Sequence, residues 1–179
     1  MSKTLGINLI VMAAAAALVF HAAAVEKQAA KESKHASFEK IKALAGEWEV
    51  AKGPAESGAH GGTVTFKVTA GGSAVLETMF GGTDHEMITL YYLNGDELEL
   101  THYCMLQNRP QMKADKKSPP HKISFKCPDK EDAKLAAEDH MHAAVFQFVD
   151  ADHLKTEWTL YKEGKPDSTH SFELTRKKK

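Results

Sequence analysis

Four side chains that could bind a metal or line a reactive pocket fall in two short, neighbouring stretches of the sequence. They are His85 and Met87 in the first stretch and His102 and Cys104 in the second. Imidazole with thiolate and thioether groups suits copper, and imidazole with thiolate suits zinc. A thiol beside an imidazole could also act as a nucleophile and its base. The same residue types are equally the lining of an ordinary ligand pocket, because methionine and cysteine pack as apolar side chains.

The two stretches are predicted to be the strands of one β-hairpin. Asn94-Gly95 lies between them, and this dipeptide is the strongest short hairpin signal because both residues tolerate a positive φ. With these two residues as the loop, Tyr91 is expected to pair with Leu98. Strand alternation then puts the four candidate side chains on the inner face of the hairpin. A register slip of one residue would move one strand's set to the other face.

A later stretch, His140-Met141-His142, adds two more imidazoles on one face of a predicted strand. If both face the same interior as the hairpin, they could complete a metal site. That hypothetical metal site consists of His85, His102, Cys104, His140 and His142. No short spacing motif such as C-x-x-C supports it, so the lining of a ligand pocket is the favoured interpretation.

Other side chains are candidates for contact with a ligand. Tyr91 and Trp158 could present flat apolar surfaces to it. Residues 107–120 are polar and contain prolines, which predicts one long loop after the hairpin. This loop could form a lid or rim, where the guanidinium of Arg109 could meet a ligand carboxylate. The predicted ligand-binding set is therefore His85, Met87, Tyr91, His102, Cys104, Arg109 and Trp158, with no catalytic residue assigned.

The two cysteines, Cys104 and Cys127, leave a choice between a disulfide and free thiols. Export to an oxidising compartment would permit the bond, which would be worth about 3 kcal/mol by the loop-entropy estimate. Two strand positions must also satisfy the Cα distance limit for a disulfide, and this requirement favours free thiols.

Residues 1–24 have the features of a secretory signal peptide. Lys3 supplies a short positive region, and residues 9–20 form an apolar run of the length of a signal core, short for a membrane span. A run of three alanines ends at Ala24, after which cleavage is expected. The alternative is an uncleaved membrane anchor. We therefore expect a periplasmic or secreted protein with no membrane span in its mature form.

The remainder of the sequence predicts one all-β domain. Residues 25–36, in which lysines alternate with alanines, suit a linker, and residues 37–179 are long enough to bury a core. Ser37 suits the N-cap of a short helix. After it come short alternating strands with turn signals every 8–12 residues or so, which predict an antiparallel up-and-down barrel of about 8–10 strands. The formal net charge of −1 gives no reason to expect a nucleic-acid partner.

Several of these segments resemble an uncharacterised bacterial family of lipocalin-like (calycin-like) barrel proteins. The resemblance rests on Ala45-Gly46-Glu47-Trp48, His85-Glu86-Met87, Thr101-His102-Tyr103-Cys104 and the Asn-x-Pro-x-Met pattern from Asn108 to Met112. It implies the barrel, with the tryptophan closing one end, and implies little about function. A more distant similarity is to the nitrobindin-type haem barrels, although this chain lacks their glycine-rich repeat after the tryptophan.

These observations lead to a main hypothesis and two alternatives. The main hypothesis is an exported barrel that holds a small, mostly apolar molecule in its interior and is not an enzyme. The first alternative is a copper-, zinc- or haem-binding barrel that uses the histidine, cysteine and methionine cluster. The second is a small enzyme with a His–Cys pair. The sequence names no cofactor, ligand or oligomeric state.

Overall fold

The computed structural model describes residues 35–54, 61–128, 135 and 137–178. The predicted signal peptide and most of the predicted linker lie outside these residues. All of the strands belong to one compact unit, Ser37–Lys179. Within the described ranges, no helix is long and apolar enough to cross a membrane.

In the described part of the chain, ten strands form one closed antiparallel barrel. Each strand pairs with its neighbours in sequence, and β1 pairs with β10 to close the barrel. The prediction of an all-β up-and-down barrel with a short N-terminal helix is confirmed. The helix, α1, covers residues 35–43, so Ser37 lies within it and is not its N-cap. The strands are β1 Gly46–Lys52, β2 Thr63–Thr69, β3 Ala74–Met79, β4 Met87–Asn94, β5 Glu97–Tyr103, β6 Gln111–Ala114, β7 Lys122–Lys126, β8 His140–Phe148, β9 His153–Lys162 and β10 Lys165–Arg176.

Alternation along the strands places the core inside the barrel. In β9, Leu154, Thr156 and Trp158 are buried, whereas the residues between them, Lys155 and Glu157, are exposed. Such a period of two is what a strand needs when one face meets a core and the other meets water. The same pattern recurs around the barrel and fills its interior with aliphatic and aromatic side chains.

The central hairpin forms, but its register differs from the prediction. Tyr91 pairs with Leu100 instead of Leu98, and the loop is Gly95-Asp96 rather than Asn94-Gly95. Gly95 takes the positive φ of the turn, at 61°, while Asn94 stays in the strand. Because the shift is two residues, the side chains within β4 and β5 keep the faces predicted for them, whereas His85 and Cys104 lie outside these two strands.

A second difference concerns the polar segment after the hairpin. Residues 107–120 were expected to be one long loop, yet they contain β6, which pairs with β5 and β7. Met112 in this short strand is fully buried. A four-residue strand shows too little alternation to be recognised among prolines and lysines, although barrel closure requires it.

The barrel end beside α1 is tightly closed. Phe38 and Ile41 from the helix and Trp48 from β1 join the buried core. The Trp48 indole N–H donates to the carbonyl of Leu44, 2.8 Å away, and the Arg176 guanidinium lies 4.2 Å from the centre of the Trp48 ring. Arg176 also donates to the backbone carbonyls at the end of α1, those of Ala43 and Ala45. Trp48 thus occupies the end-closing position that the Gly-x-Trp pattern predicts.

Candidate functional site

A cavity of about 270 Å³ lies at the barrel end opposite α1. Its walls come from the strand ends and turns at that end of the barrel, including the start of β4 and the end of β5. It is neither sealed nor a flat groove. The lining residues are Pro54, Met79, Phe80, His85, Met87, His102, Cys104, Met105, Leu106, Met141, Trp158, Leu160, His170 and Phe172.

The lining combines sulfur, aromatic and imidazole groups. Four methionines and one cysteine line the cavity together with three histidines and three aromatic residues, and its surface is mostly apolar. Methionine side chains adapt to irregular shapes, and their thioethers make favourable contacts with aromatic rings. Such walls suit a flat apolar guest better than a highly polar one.

Five of the seven predicted ligand-binding residues line this cavity: His85, Met87, His102, Cys104 and Trp158. His85 is exposed and stands at the mouth, whereas His102 and Trp158 are buried within it. The other two residues lie elsewhere. Tyr91 is fully buried in the barrel interior outside the lining, and Arg109 is exposed in the β5–β6 turn.

A buried hydrogen-bonded chain leads from the barrel interior to the cavity wall. The Tyr91 hydroxyl donates to Oε2 of Glu77 at 2.6 Å, and the Thr89 hydroxyl also bonds to Glu77. Oγ1 of Thr89 lies 2.9 Å from Nδ1 of His102. The His102 ring then packs on Trp158 at 4.6 Å between ring centres. The chain therefore connects a buried carboxyl group to an imidazole in the cavity lining.

The sequence reasoning missed Glu77, although a signal for it was present. Val75, Glu77 and Met79 alternate in β3, so the carboxylate shares a face with two core residues. A charged residue on the inner face of a strand needs buried partners, which makes it a functional or structural candidate. Thr89 was missed because its role depends on its position directly opposite His102, which the sequence pattern does not give.

Burial shifts the pKa values along this chain in characteristic directions. Desolvation raises the pKa of Glu77 to about 7, while the hydrogen bonds from Tyr91 and Thr89 oppose the shift. The pKa of Tyr91 is raised as well, first by burial and then by the neighbouring carboxylate. Desolvation lowers the pKa of His102 to about 4, so this imidazole is neutral at pH 7.

The network determines which nitrogen of His102 carries the proton. A hydroxyl has one hydrogen, and Thr89 donates it to Glu77 when that carboxylate is ionised. Thr89 then accepts from the Nδ1–H of His102, which leaves Nε2 with a lone pair. Among the described residues, neither Nε2 of His102 nor Nε1 of Trp158 has a hydrogen-bond partner, and both atoms are buried.

Cys104 lacks the properties of an activated nucleophile. It is a free thiol, and burial raises its pKa, although backbone groups of Leu106 and Met105 partly oppose the shift. A reactive cysteine needs a lowered pKa, because the thiolate is the attacking species. The geometry here suits a pocket wall better than a His–Cys catalytic pair.

The β5–β6 turn forms part of the cavity mouth. Met105 and Leu106 line the cavity, yet they are 49% and 43% exposed. The Asn108 side chain donates to the carbonyl of Asp139 at 2.8 Å and thereby ties this turn to the segment before β8. Met105 and Leu106 thus form an apolar lip at the cavity mouth, and the turn that contains them is held against the segment before β8.

The five residues of the hypothetical metal site lie in two separate places. His85, His102 and Cys104 line the cavity, whereas His140 and His142 do not. A register shift between Met141 and Ala143 turns Met141 into the cavity and leaves both histidines out of its lining. In the described part of the chain, ligand atoms of three His, Cys, Asp or Glu residues come within 4.8 Å of one another in one group: Cys127, His140 and His142.

Haem does not fit the cavity as it is shaped. The cavity volume of about 270 Å³ lies just below the lower limit of about 300 Å³ for ordinary ligand pockets. The imidazole that is buried in the lining, His102, is packed against Trp158.

Comparison of the chain with models of known protein families and with curated proteins finds no match. The class of protein is consequently defined by its structure. Over the residues that the structure describes, it is a closed ten-stranded antiparallel β-barrel, consistent with the calycin-like folds, with a cavity at one end.

Proposed function

We propose that this protein is an exported binding protein for a small, flat, largely apolar molecule that carries one hydroxyl or carbonyl group. The observation that carries the proposal is the apolar cavity with His102 and Trp158 in its wall, each with a buried polar atom that no described residue satisfies. Buried polar atoms usually have partners, so a ligand group is an economical explanation for these two.

The cavity volume limits the size of the ligand. At about 270 Å³ it is larger than the cavities of roughly 150 Å³ that bind benzene, and smaller than the pockets of drug-sized ligands. A molecule of two fused rings falls in this range. The methionine thioethers favour an aromatic ring system over a saturated one.

The polar contacts favour a hydroxyl group on that ring system. Trp158 has only an N–H to donate, and His102 presents an Nε2 lone pair when Glu77 is ionised. A ligand hydroxyl can accept from the first group and donate to the second. A carbonyl can satisfy only the donor, which makes it the weaker partner of the two.

The expected export and the resemblance to lipocalin-like barrels also support a binding role. A barrel with one closed end and one open end can hold a single small molecule without any catalytic group. We infer a periplasmic or extracellular location, in which such a protein would carry or sequester its ligand.

Calorimetric titration with 2-naphthol and naphthalene tests the proposal. These two probes share a ring system and differ by one hydroxyl. The intact protein should bind one equivalent of 2-naphthol, at least about tenfold more tightly than naphthalene, because the hydroxyl would make two hydrogen bonds worth about 1 kcal/mol each. Trp158→Phe should reduce that preference while retaining naphthalene.

Two further variants show where the probe binds. Met141→Trp places a large side chain in the cavity and should abolish binding of both probes, whereas Arg109→Ala alters an exposed residue outside the lining and should bind as the unmodified protein does. If neither probe binds, or if Met141→Trp binds both normally, the cavity is not the binding site.

A further inference from the structure

A second cluster of potential ligands lies outside the cavity lining. Cys127 directly follows β7, and His140 begins β8, which is the neighbouring strand in the barrel. His142 stands where the register between β8 and β9 shifts. All three side chains are buried, and their ligand atoms lie within 4.8 Å of one another.

The spacing of the two imidazoles matches that of two ligands on one metal ion. Nε2 of His140 lies 3.2 Å from Nδ1 of His142, a hydrogen bond in the metal-free protein that an ion between the two rings would replace. In a tetrahedral site with metal–nitrogen bonds of about 2.0–2.1 Å, two nitrogen ligands are separated by roughly 3.3 Å. Little movement of either ring is therefore needed to bring both atoms onto one ion.

The first imidazole is already oriented as a metal ligand would be. Nδ1 of His140 lies 2.7 Å from the carbonyl oxygen of Glu138, and because a carbonyl can only accept, the ring carries its proton on Nδ1. This leaves the lone pair on Nε2, the atom that faces His142. Metal-bound histidines commonly donate their other ring N–H to a backbone carbonyl in this way.

The second imidazole is also held in place. The ring of Tyr161 stacks on His142 at 3.8 Å, with only 12° between the two planes. Tyr161 pairs with His140 across the β8–β9 ladder, so one tyrosine fixes the position of the histidine pair. A site whose ligands are held by packing loses little conformational entropy when it binds an ion.

We propose that Cys127, His140 and His142 bind one transition-metal ion of the class that takes thiolate and imidazole ligands, namely Zn²⁺ or Cu⁺. Binding releases the thiol proton of Cys127 to solvent, because the thiolate is the ligand, and moves the proton of His142 from Nδ1 to Nε2, so that Nδ1 can bind the ion. With Cu⁺ the three protein ligands form a neutral three-coordinate complex. With Zn²⁺ the complex keeps a positive charge and takes a fourth ligand. The site is separate from the proposed ligand cavity and does not depend on it.

Metal titration of the reduced, chelator-treated chain, purified from an exporting host, tests this site. Co²⁺ serves as the spectroscopic substitute for Zn²⁺, since a cobalt–thiolate bond gives charge-transfer absorption, and Cu⁺ is measured by competition with a coloured chelator. The expected result is one equivalent of metal, with the Co²⁺ signal displaced by Zn²⁺. A signal that only Cu⁺ produces would assign the site to copper.

Substitutions then locate the bound ion. Cys127→Ser should remove the cobalt–thiolate band and weaken affinity by more than the 10–100-fold or so that is typical of losing a supporting residue. His142→Gln should weaken affinity comparably, and it replaces the least buried ligand if the serine variant does not fold. His153→Gln, which changes an exposed histidine on β9, should have no effect.

Three outcomes would overturn the proposal. They are no stoichiometric binding of either ion, unchanged binding in both ligand variants, and loss of the cobalt–thiolate band in Cys104→Ser but not in Cys127→Ser. The last result would place the ion in the cavity. A rise in melting temperature on adding metal, seen in the intact protein and absent from the ligand variants, gives an independent readout.

Discussion

The two ends of the barrel each contain a buried tryptophan, but the indole N–H groups of the two side chains differ in their hydrogen bonding. At the end beside α1, Trp48 donates its N–H to a helix carbonyl and is covered by the Arg176 guanidinium. At the other end, Trp158 borders the cavity, and its N–H has no partner among the described residues. The tryptophan N–H of the closed end is thus satisfied within the chain, whereas that of the cavity end would be satisfied only by the proposed ligand.

The contacts at the end beside α1 therefore contribute to stability, whereas the polar atoms at the cavity end are available to the proposed ligand. A satisfied hydrogen bond and a cation–π contact stabilise the closed end without needing any ligand. An unsatisfied buried donor costs free energy until something accepts from it, so the proposed ligand would lower the free energy of the cavity end. The following predictions test that contrast, from the largest expected effect to the smallest.

The same substitution at the two ends should have unequal costs. Trp48→Ala is expected to lower the free energy of unfolding by about 4 kcal/mol, because it creates a cavity in the core and removes two polar contacts. Trp158→Ala enlarges an existing cavity and breaks no hydrogen bond within the described chain, so its cost should be smaller by at least about 1 kcal/mol. Urea denaturation measures both values. Equal costs would remove the distinction between the two ends.

The buried chain behind the cavity should make stability depend on pH in two opposing ways. Glu77 binds a proton more tightly when folded, so its contribution is complete below pH 4.5 and is lost as pH rises through about 7. His102 binds a proton less tightly when folded, so its contribution is complete above pH 6.5 and is lost as pH falls through about 4. Each effect is about 3 kcal/mol, and the two nearly cancel between pH 4.5 and 6.5.

Glu77→Gln should expose the histidine effect alone. The free energy of unfolding of this variant is expected to rise by about 3 kcal/mol between pH 4 and 6.5, whereas that of the unmodified protein stays nearly flat from pH 4.5 to 6.5. Urea denaturation across this range measures the difference. Glu157→Gln, at an exposed position of β9, is the matched control. Parallel pH profiles for all three proteins would contradict the assignment.

The hydroxyl preference of the cavity should depend on the same carboxyl group. Above pH 7 the ionised Glu77 leaves Nε2 of His102 as an acceptor, and 2-naphthol should be favoured over naphthalene by about tenfold, or about 1.4 kcal/mol. Below pH 6 a protonated Glu77 can donate to Thr89, whose hydroxyl can then donate to Nδ1 of His102. Nε2 then carries the proton and no longer accepts, so the preference for 2-naphthol should shrink. Calorimetry at pH 5.5 and 8 measures the ratio. A ratio that does not change with pH would disconnect the ligand from the buried chain.

The smallest effect on stability is expected at the cavity mouth. Replacing the half-exposed Met105 and Leu106 together by serine should change the free energy of unfolding by less than about 0.5 kcal/mol, as for most surface substitutions. Naphthalene affinity should fall, because the lip loses its apolar surface. Denaturation and calorimetry on the same double variant separate the two quantities. A large loss of stability would show that the lip belongs to the core.

Alternation of side chains made most of the barrel predictable, and deviations from alternation account for what was missed. The inward residues of β9 follow directly from the period of two, and the hairpin kept its faces because its register changed by two residues. The register shift in β8 separated His140 and His142 from the cavity, and no local pattern announced it. Cys127 lies near these two histidines because β7 and β8 are neighbouring strands, and that neighbourhood follows from the barrel topology and not from any local sequence pattern.

The network at Glu77 was overlooked for a different reason. Its position on the inner face could be inferred from Val75 and Met79, but its partners lie on β4. Which side chains stand opposite one another depends on register, and register depends on turn geometry as much as on hydrophobic pattern. The candidate site was therefore predictable as a list of lining residues and not as a set of hydrogen bonds.

The pairing of β1 with β10 has a consequence for how the chain acquires its shape. Trp48 and Arg176 meet across this seam, although they come from the first and last strands of the barrel. During synthesis, the final partner of β1 therefore emerges only after nearly the whole domain has been made. Such long-range contacts slow folding, and until the seam forms the growing sheet presents open edges that other chains can join. The interval before closure is when this protein is most exposed to aggregation, and a chaperone would be most useful then.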